Sequence, residues 1–125
     1  MAKEEIRSDE APPPGGVYSQ GVRAGGFVFL AGQGPFRPDG AKADGGFDAQ
    51  ARQTFQNLTA VAKAAGGSLG DAVRVGVFLR DMENFPAMND IYREFFPEPY
   101  PARTTVQSDL PGFEIEVDAV LSLDS

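Results

Sequence analysis

The stretch DAQARQTFQNLTAVAKAAGG, residues 48–67, and the run DAVRVGVFLR at residues 71–80 decide the fold. In the first, Ala51, Phe55, Leu58, Ala62 and Ala65 recur at steps of three and four, the spacing that gathers apolar side chains on one face of a helix. Asp48 stands where it can cap that helix, and Gly66-Gly67 stop it. In the second, Val73, Val75, Val77 and Leu79 alternate with Arg74, Gly76, Phe78 and Arg80, which predicts a strand with one apolar face. A helix with one apolar stripe beside a strand with one apolar face calls for a sheet with helices laid against it.

Toward the C-terminus, Phe85, Met88, Tyr92 and Phe95 line one side of a second helix, roughly Glu83 to Phe96, which Pro97 and Pro99 terminate. Two alternating runs, Ala102 to Gln107 and Glu114 to Leu123, read as strands around Ser108-Asp109-Leu110-Pro111-Gly112. Toward the N-terminus, Val17 to Val22 and Phe27 to Ala31 are β-rich runs joined through Ala24-Gly25-Gly26 as a hairpin. From Gly32 to Gly46 runs a Gly- and Asp-rich loop, long for so small a chain and of the kind that often carries function. Residues 1–16 are polar and end in Ala11-Pro12-Pro13-Pro14-Gly15-Gly16, which reads as a flexible arm, with residues 17–125 as a single domain. The expected class is α+β, a mixed sheet with two helices packed on one face. Val120, left over on the last strand, suits an oligomer interface.

The 125 residues suit one hydrophobic core. At 42% hydrophobic and 23% charged, the chain has no apolar run near the ~20 residues that cross a bilayer, so no membrane partner is expected. Its opening Met1-Ala2-Lys3-Glu4-Glu5 leads into no apolar stretch of the signal-peptide kind, and cytoplasmic residence is the expectation. Cysteine and histidine are both absent, which excludes disulfides, thiolate nucleophiles, Ser-His-Asp catalysis and zinc held by His or Cys. No metal or cofactor is expected. Chemistry is left to Arg, Lys, Asp, Glu, Tyr, Ser, Thr, backbone amides and water. A net charge of −7 and scattered basic residues argue against nucleic acid as a partner.

If Ser108 to Pro111 close a simple hairpin, Arg103 falls opposite Glu116 and Thr105 opposite Glu114, with Asp118 on the same face as Glu116. Arg103 and Glu116 then form either a cross-strand ion pair on a solvated sheet or a working pair. In the second case Arg103 offers its planar fork to a substrate carboxylate and Glu116 activates a water. Tyr18 is either an edge-strand aromatic or a pocket wall, and Asn89, one position after Met88, either faces solvent or directs its amide into a cleft. Gly32-Gln33-Gly34 offers backbone amides but lacks the spacing and lysine of a phosphate loop.

The chain resembles the reactive intermediate deaminase family, the Rid or YjgF-like proteins. The resemblance is carried by Tyr18-Ser19-Gln20, Leu30-Ala31-Gly32-Gln33-Gly34-Pro35, Asn57-Leu58, Val77-Phe78-Leu79-Arg80-Asp81-Met82, Met88-Asn89-Asp90-Ile91-Tyr92, Pro101-Ala102-Arg103-Thr104-Thr105-Val106, Leu110-Pro111 and Ile115-Glu116-Val117-Asp118-Ala119. No one of these is decisive, whereas their order along the chain is specific. The resemblance implies a chorismate-mutase-like α+β fold, a homotrimer with ligand clefts between subunits, and hydrolysis of small enamines and imines such as 2-aminoacrylate and 2-iminobutyrate to 2-oxo acids and ammonia. It matches the family's carboxylate-binding arginine to Arg103 and its water-positioning glutamate to Glu116. Tyr18, Ala31, Gly32, Asn89 and Thr105 fall at substrate-binding positions. Ala31 stands where many members have a serine, and Thr105 where the best-known branch has a cysteine, so the resemblance leaves substrate preference open. Relatives also suggest a non-catalytic carboxylate-binding regulator, a pathway-specific aminoacrylate deaminase, or an endoribonuclease acting as a translation inhibitor.

Overall fold

A computed structural model describes residues 2–123 of the chain. Strands β1 (Glu4–Ile6), β2 (Gly21–Ala24) and β3 (Phe27–Gln33) precede helix α1 (Phe47–Ala64). Strand β4 (Ala72–Leu79), helix α2 (Phe85–Phe95) and strands β5 (Ala102–Gln107) and β6 (Ile115–Ser122) follow. The six strands make one mixed sheet in the order β1-β2-β3-β6-β4-β5. Only β4 and β5 run parallel, because α2 carries the chain back to the start of β4 before β5 begins. β6 is the central strand, antiparallel to β3 on one side and β4 on the other.

Alternation decides which face carries the helices. Val75, Val77 and Leu79 of β4, Ile115, Val117, Ala119 and Leu121 of β6, and Val28 and Leu30 of β3 are buried, and they meet Ala51, Phe55, Leu58 and Ala62 of α1 and Met88 and Tyr92 of α2 in one core. Phe55 is fully buried and touches the rings of Tyr92, Phe95 and Phe96, tying the two helices together. The α+β class, the mixed sheet and the two helices on one face are as expected from the sequence.

Five expectations need correction. Of the expected arm, residues 2–16 are not free: β1 pairs with β2, Ile6 and Ala11 enter the core, and the buried Gln20 amide bonds the backbone of Ser8 and Pro12 at 2.6–3.1 Å. A single amide with two donors and an acceptor can anchor a proline-rich stretch that has few N–H groups of its own. The run from Val17 to Gln20 is a bend, and pairing with β3 starts at Gly21. Asp48 does not cap α1; Gly46 takes that position without a side-chain bond, and Asp48, in the first turn, pairs with Arg52 at 2.8 Å. Val73 leaves the buried face at the register shift between Ala72 and Arg74 and is exposed.

The fifth correction bears on the site. β5 and β6 do not form a hairpin, because β4 lies between them. Arg103 pairs with Val75 and Thr105 with Val77, whereas Glu116 pairs with Phe78 and Asp118 with Gly76. Val75 and Val77 face the helices, and Gly76 and Phe78 face away, so Arg103 and Thr105 lie on the helix side while Glu116 and Asp118 lie on the other. Central placement of β6 uses both of its hydrogen-bonding edges and buries Ile115, Val117, Ala119 and Leu121 under the helices, which a two-stranded β5–β6 hairpin at the sheet edge could not do. Residues 124 and 125 of the expected domain lie outside the described residues.

Candidate active site

Arg103 projects from β5 against the apolar face of α2. Its guanidinium carbon stands 4.7 Å from the Tyr92 ring centroid and 5.6 Å from that of Phe85, and Nη1 donates weakly to Met88 Sδ at 3.9 Å. Phe85, Met88 and Tyr92 follow one another at steps of three and four, so one stripe of the helix makes this bed. No carboxylate of the described residues pairs with Arg103. Its half-buried cation faces a cleft of about 400 Å³ lined by Asn89, Tyr92, Arg93, Tyr100, Pro101 and Arg103 itself. A cation supported by rings and a thioether, with its charge unanswered, is arranged to receive an anion.

Glu116 projects from β6 on the opposite side of the sheet, into a second cleft of about 310 Å³. Pro12 to Gly15, Tyr18, Gly32, Gln33 and Phe113 are among its walls. Burial first, and then the neighbouring Asp118 charge, push the Glu116 carboxyl above its ordinary value of 4.5. Gly32 of β3 makes room for it, since a Cβ there would stand 2.6 Å from Glu116 Oε2. Likewise a Cβ at Gly76 would meet Asp118 Oδ1 at 2.5 Å, and the Gly76 N–H donates to that oxygen at 3.1 Å. The long loop is pinned over this cleft by buried Asn57 of α1, whose Nδ2 donates to the Gly34 and Phe36 carbonyls at 3.1 and 2.7 Å. Gln50 Oε1 accepts from the Glu114 N–H at 2.9 Å and fixes the entry to β6.

The candidate residues thus fall into two groups. Arg103 and Asn89 share the first cleft; Tyr18, Gly32 and Glu116 share the second. Tyr18 is exposed, and its hydroxyl accepts from the Gly15 N–H at 3.1 Å. Ala31 borders Gly32, and its N–H donates to the Gln20 carbonyl at 2.9 Å. Thr105 lies two residues beyond Arg103 on the same face, with its hydroxyl buried and without a hydrogen-bond partner. Sequence reasoning missed Tyr92 and Tyr100 in the first cleft and Pro12 to Gly15 in the second. Tyr92 was absorbed into the apolar stripe of α2, and the proline run into the arm; the polar end of a tyrosine on a core stripe is the signal that could have marked the first.

Residues 8–122 match the family model described as Endoribonuclease L-PSP. A RutC family protein of Pyrococcus horikoshii is 45% identical over 121 residues, covering 94% of this chain and 96% of its own. A 2-iminobutanoate/2-iminopropanoate deaminase of Dermatophagoides farinae is 38% identical, covering 98% of both chains. The crystal structure of Escherichia coli TdcF with bound serine superposes with a TM-score of 0.91 at 35% identity, over 97% of this chain and 99% of that one. Family model, relatives and fold agree, and this chain belongs to the Endoribonuclease L-PSP family, the YjgF/RidA proteins that its motifs resemble.

Proposed function

We propose that the protein hydrolyses small 2-imino and 2-enamino carboxylates to 2-oxo acids and ammonia. The observation that carries this reading is the half-buried Arg103 guanidinium, without a carboxylate partner among the described residues, in a cleft of small-molecule size. A relative named as a 2-iminobutanoate/2-iminopropanoate deaminase and a TdcF structure holding serine, itself a small amino acid, support the substrate class. Arg103 grips the carboxylate through its fork. Glu116, with a carboxyl that burial makes a better base than an ordinary glutamate, orients a water and takes its proton as oxygen adds to the imine carbon. That proton passes to the nitrogen to give a carbinolamine. The hydroxyl proton of the adduct then follows it to the nitrogen by way of Glu116, the carbon–nitrogen bond breaks, and ammonia leaves behind a 2-oxo acid. An enamine first takes a proton at its terminal carbon to become the imine. Imine hydrolysis of this kind asks for position and proton transfer, which suits a chain without cysteine or histidine.

Because Arg103 and Glu116 stand on opposite faces of one sheet, the reading requires two copies of the chain, one supplying each residue. A homotrimer with three such clefts is the assembly we propose. Phe27, Phe29 and Val106 are exposed on the face turned away from the helices, and β5 is an open sheet edge beside Arg103, both of which favour association. Ala31 and Thr105 tune the fit of the substrate's remaining atoms. The test is release of ammonia and 2-oxobutyrate from 2-iminobutyrate generated in the assay. Turnover well above the uncatalysed rate is expected; turnover equal to it, with 2-oxobutyrate still bound, leaves only a carboxylate sensor.

A further inference from the structure

We propose that Tyr92 is a positioning residue for Arg103: its ring, braced by the core, sets where the guanidinium stands in the cleft. The inference rests on the reading of Arg103 as the carboxylate anchor and adds a residue that holds that anchor in place.

Arg103 has a long, flexible side chain and no counter-charge among the described residues, so something else must keep it from turning to solvent. Three groups of α2 touch it, and Tyr92 is the nearer of the two rings, with the guanidinium carbon 4.7 Å from its centroid against 5.6 Å for Phe85. Attraction between a cation and a ring face grows as water is excluded, and Tyr92 is only 4% exposed. The ring itself is held. Phe96 stacks on it at 4.3 Å with an interplanar angle of 18°, and Phe55 meets it edge-on at 6.0 Å. Since Phe96 occupies one face, the guanidinium lies over the other. Phe55 and Phe96 are fully buried, so the position of a cleft cation is transmitted from the centre of the core through a single ring.

The hydroxyl is held above its ordinary value by burial, which outweighs the nearby Arg103 charge that favours its ionised form. It is buried and makes no hydrogen bond among the described residues. The ring face is the part of Tyr92 on which the proposal rests, and the Tyr92→Phe variant separates it from the hydroxyl.

The experiment replaces Tyr92 in the full chain by Leu, by Phe, and by phenylalanines carrying one, two and three fluorines, which keep the shape while draining the ring of its negative face. For each, KM and kcat are measured on 2-iminobutyrate and Kd on 2-oxobutyrate, with thermal melting as the control for folding. Loss of the stack is expected to raise KM and Kd by roughly two- to thirtyfold with kcat far less affected. Tyr92→Phe should restore near wild-type binding, and successive fluorines should weaken it stepwise without moving the melting temperature in parallel. Should Tyr92→Leu fail to fold, the fluorinated series alone decides. Binding that is flat across the fluorines, or as poor in Tyr92→Phe as in Tyr92→Leu, overturns the proposal. A wild-type protein that binds no 2-oxobutyrate and turns over no imine defeats the underlying reading of Arg103 instead.

Discussion

The two sides of the sheet treat charge in opposite ways. On the helix side, Arg103 is embraced by Phe85, Met88 and Tyr92, none of which can neutralise it. On the other side, Glu116 and Asp118 stand over Gly32 and Gly76, whose missing side chains give the carboxylates space and, at Gly76, a backbone donor. One face supports a cation by packing; the other admits anions by omission. Neither charge is answered within its own cleft, and the pleat keeps them apart. If Arg103 and Glu116 are the working pair proposed above, the chain carries both halves and cannot close them by itself, and assembly is part of the proposed chemistry.

The strongest way to break this contrast is to remove one half at a time and then mix. Arg103→Ala should fold and lose about two to four decades of kcat/KM, the scale set by about 3 to 5 kcal/mol for an unpaired charged partner. Glu116→Gln should fall in kcat by roughly two to four decades with KM held, as loss of a general base does. Each is checked by imine turnover. Copies of the two variants, unfolded and refolded together in equal amounts, should recover roughly a quarter of wild-type activity, because random assembly joins an intact Arg103 to an intact Glu116 in about one cleft in four. Mixed samples as dead as their parents would mean that each copy completes its own site and that the two faces do cooperate within one chain.

A smaller effect probes the omission alone. Gly32→Ala adds one methyl at 2.6 Å from Glu116 Oε2, too close for both to stay. The carboxylate must shift by a fraction of an ångström, and misplacement on that scale costs on the order of tenfold in kcat while leaving the Arg103 cleft, and hence KM, near wild type. Steady-state kinetics separates the two constants. A rise in KM with kcat preserved would show that Gly32 serves substrate entry and not the carboxylate.

Much of this was legible in the residues. The 3.6-residue period of α1, the alternation of β4 and the prolines after α2 follow from local physics, and the structure returns them within a residue or two. What local physics could not supply was which strands are neighbours. Arg103 and Glu116 look like hairpin partners because the loop between their strands is short, yet the pairing goes to β4, whose position is decided by burial of the whole β6 face. The same limit hid Ile6 and Gln20. A three-residue strand and one buried amide bring the proline run against the sheet, and no periodicity announces either. Candidate residues could therefore be named from the sequence, while their division between two clefts could not be foreseen.

The smallest expected effect concerns stability, and it turns on the same unanswered charge. Glu116 ionises less readily in the folded chain than the 4.5 of an ordinary glutamate, because burial and Asp118 both disfavour its anion. A carboxyl whose folded value is raised contributes stability that is full below the unfolded value and disappears as pH climbs through the folded one. Above that window the folded chain carries an anion it would shed if it could. Glu116→Gln keeps the shape and removes the charge, so it should melt higher than wild type at neutral pH, with the gap closing as pH falls toward 4.5. Melting curves across that range measure it. A variant that melts lower at neutral pH would show that the folded chain favours the Glu116 anion over its neutral form, and the contrast between a cation held by packing and an anion merely accommodated would fail on its acidic side. A gap of the expected sign, together with the loss of kcat, would mean that the folded chain gives up stability at the residue it needs for proton transfer.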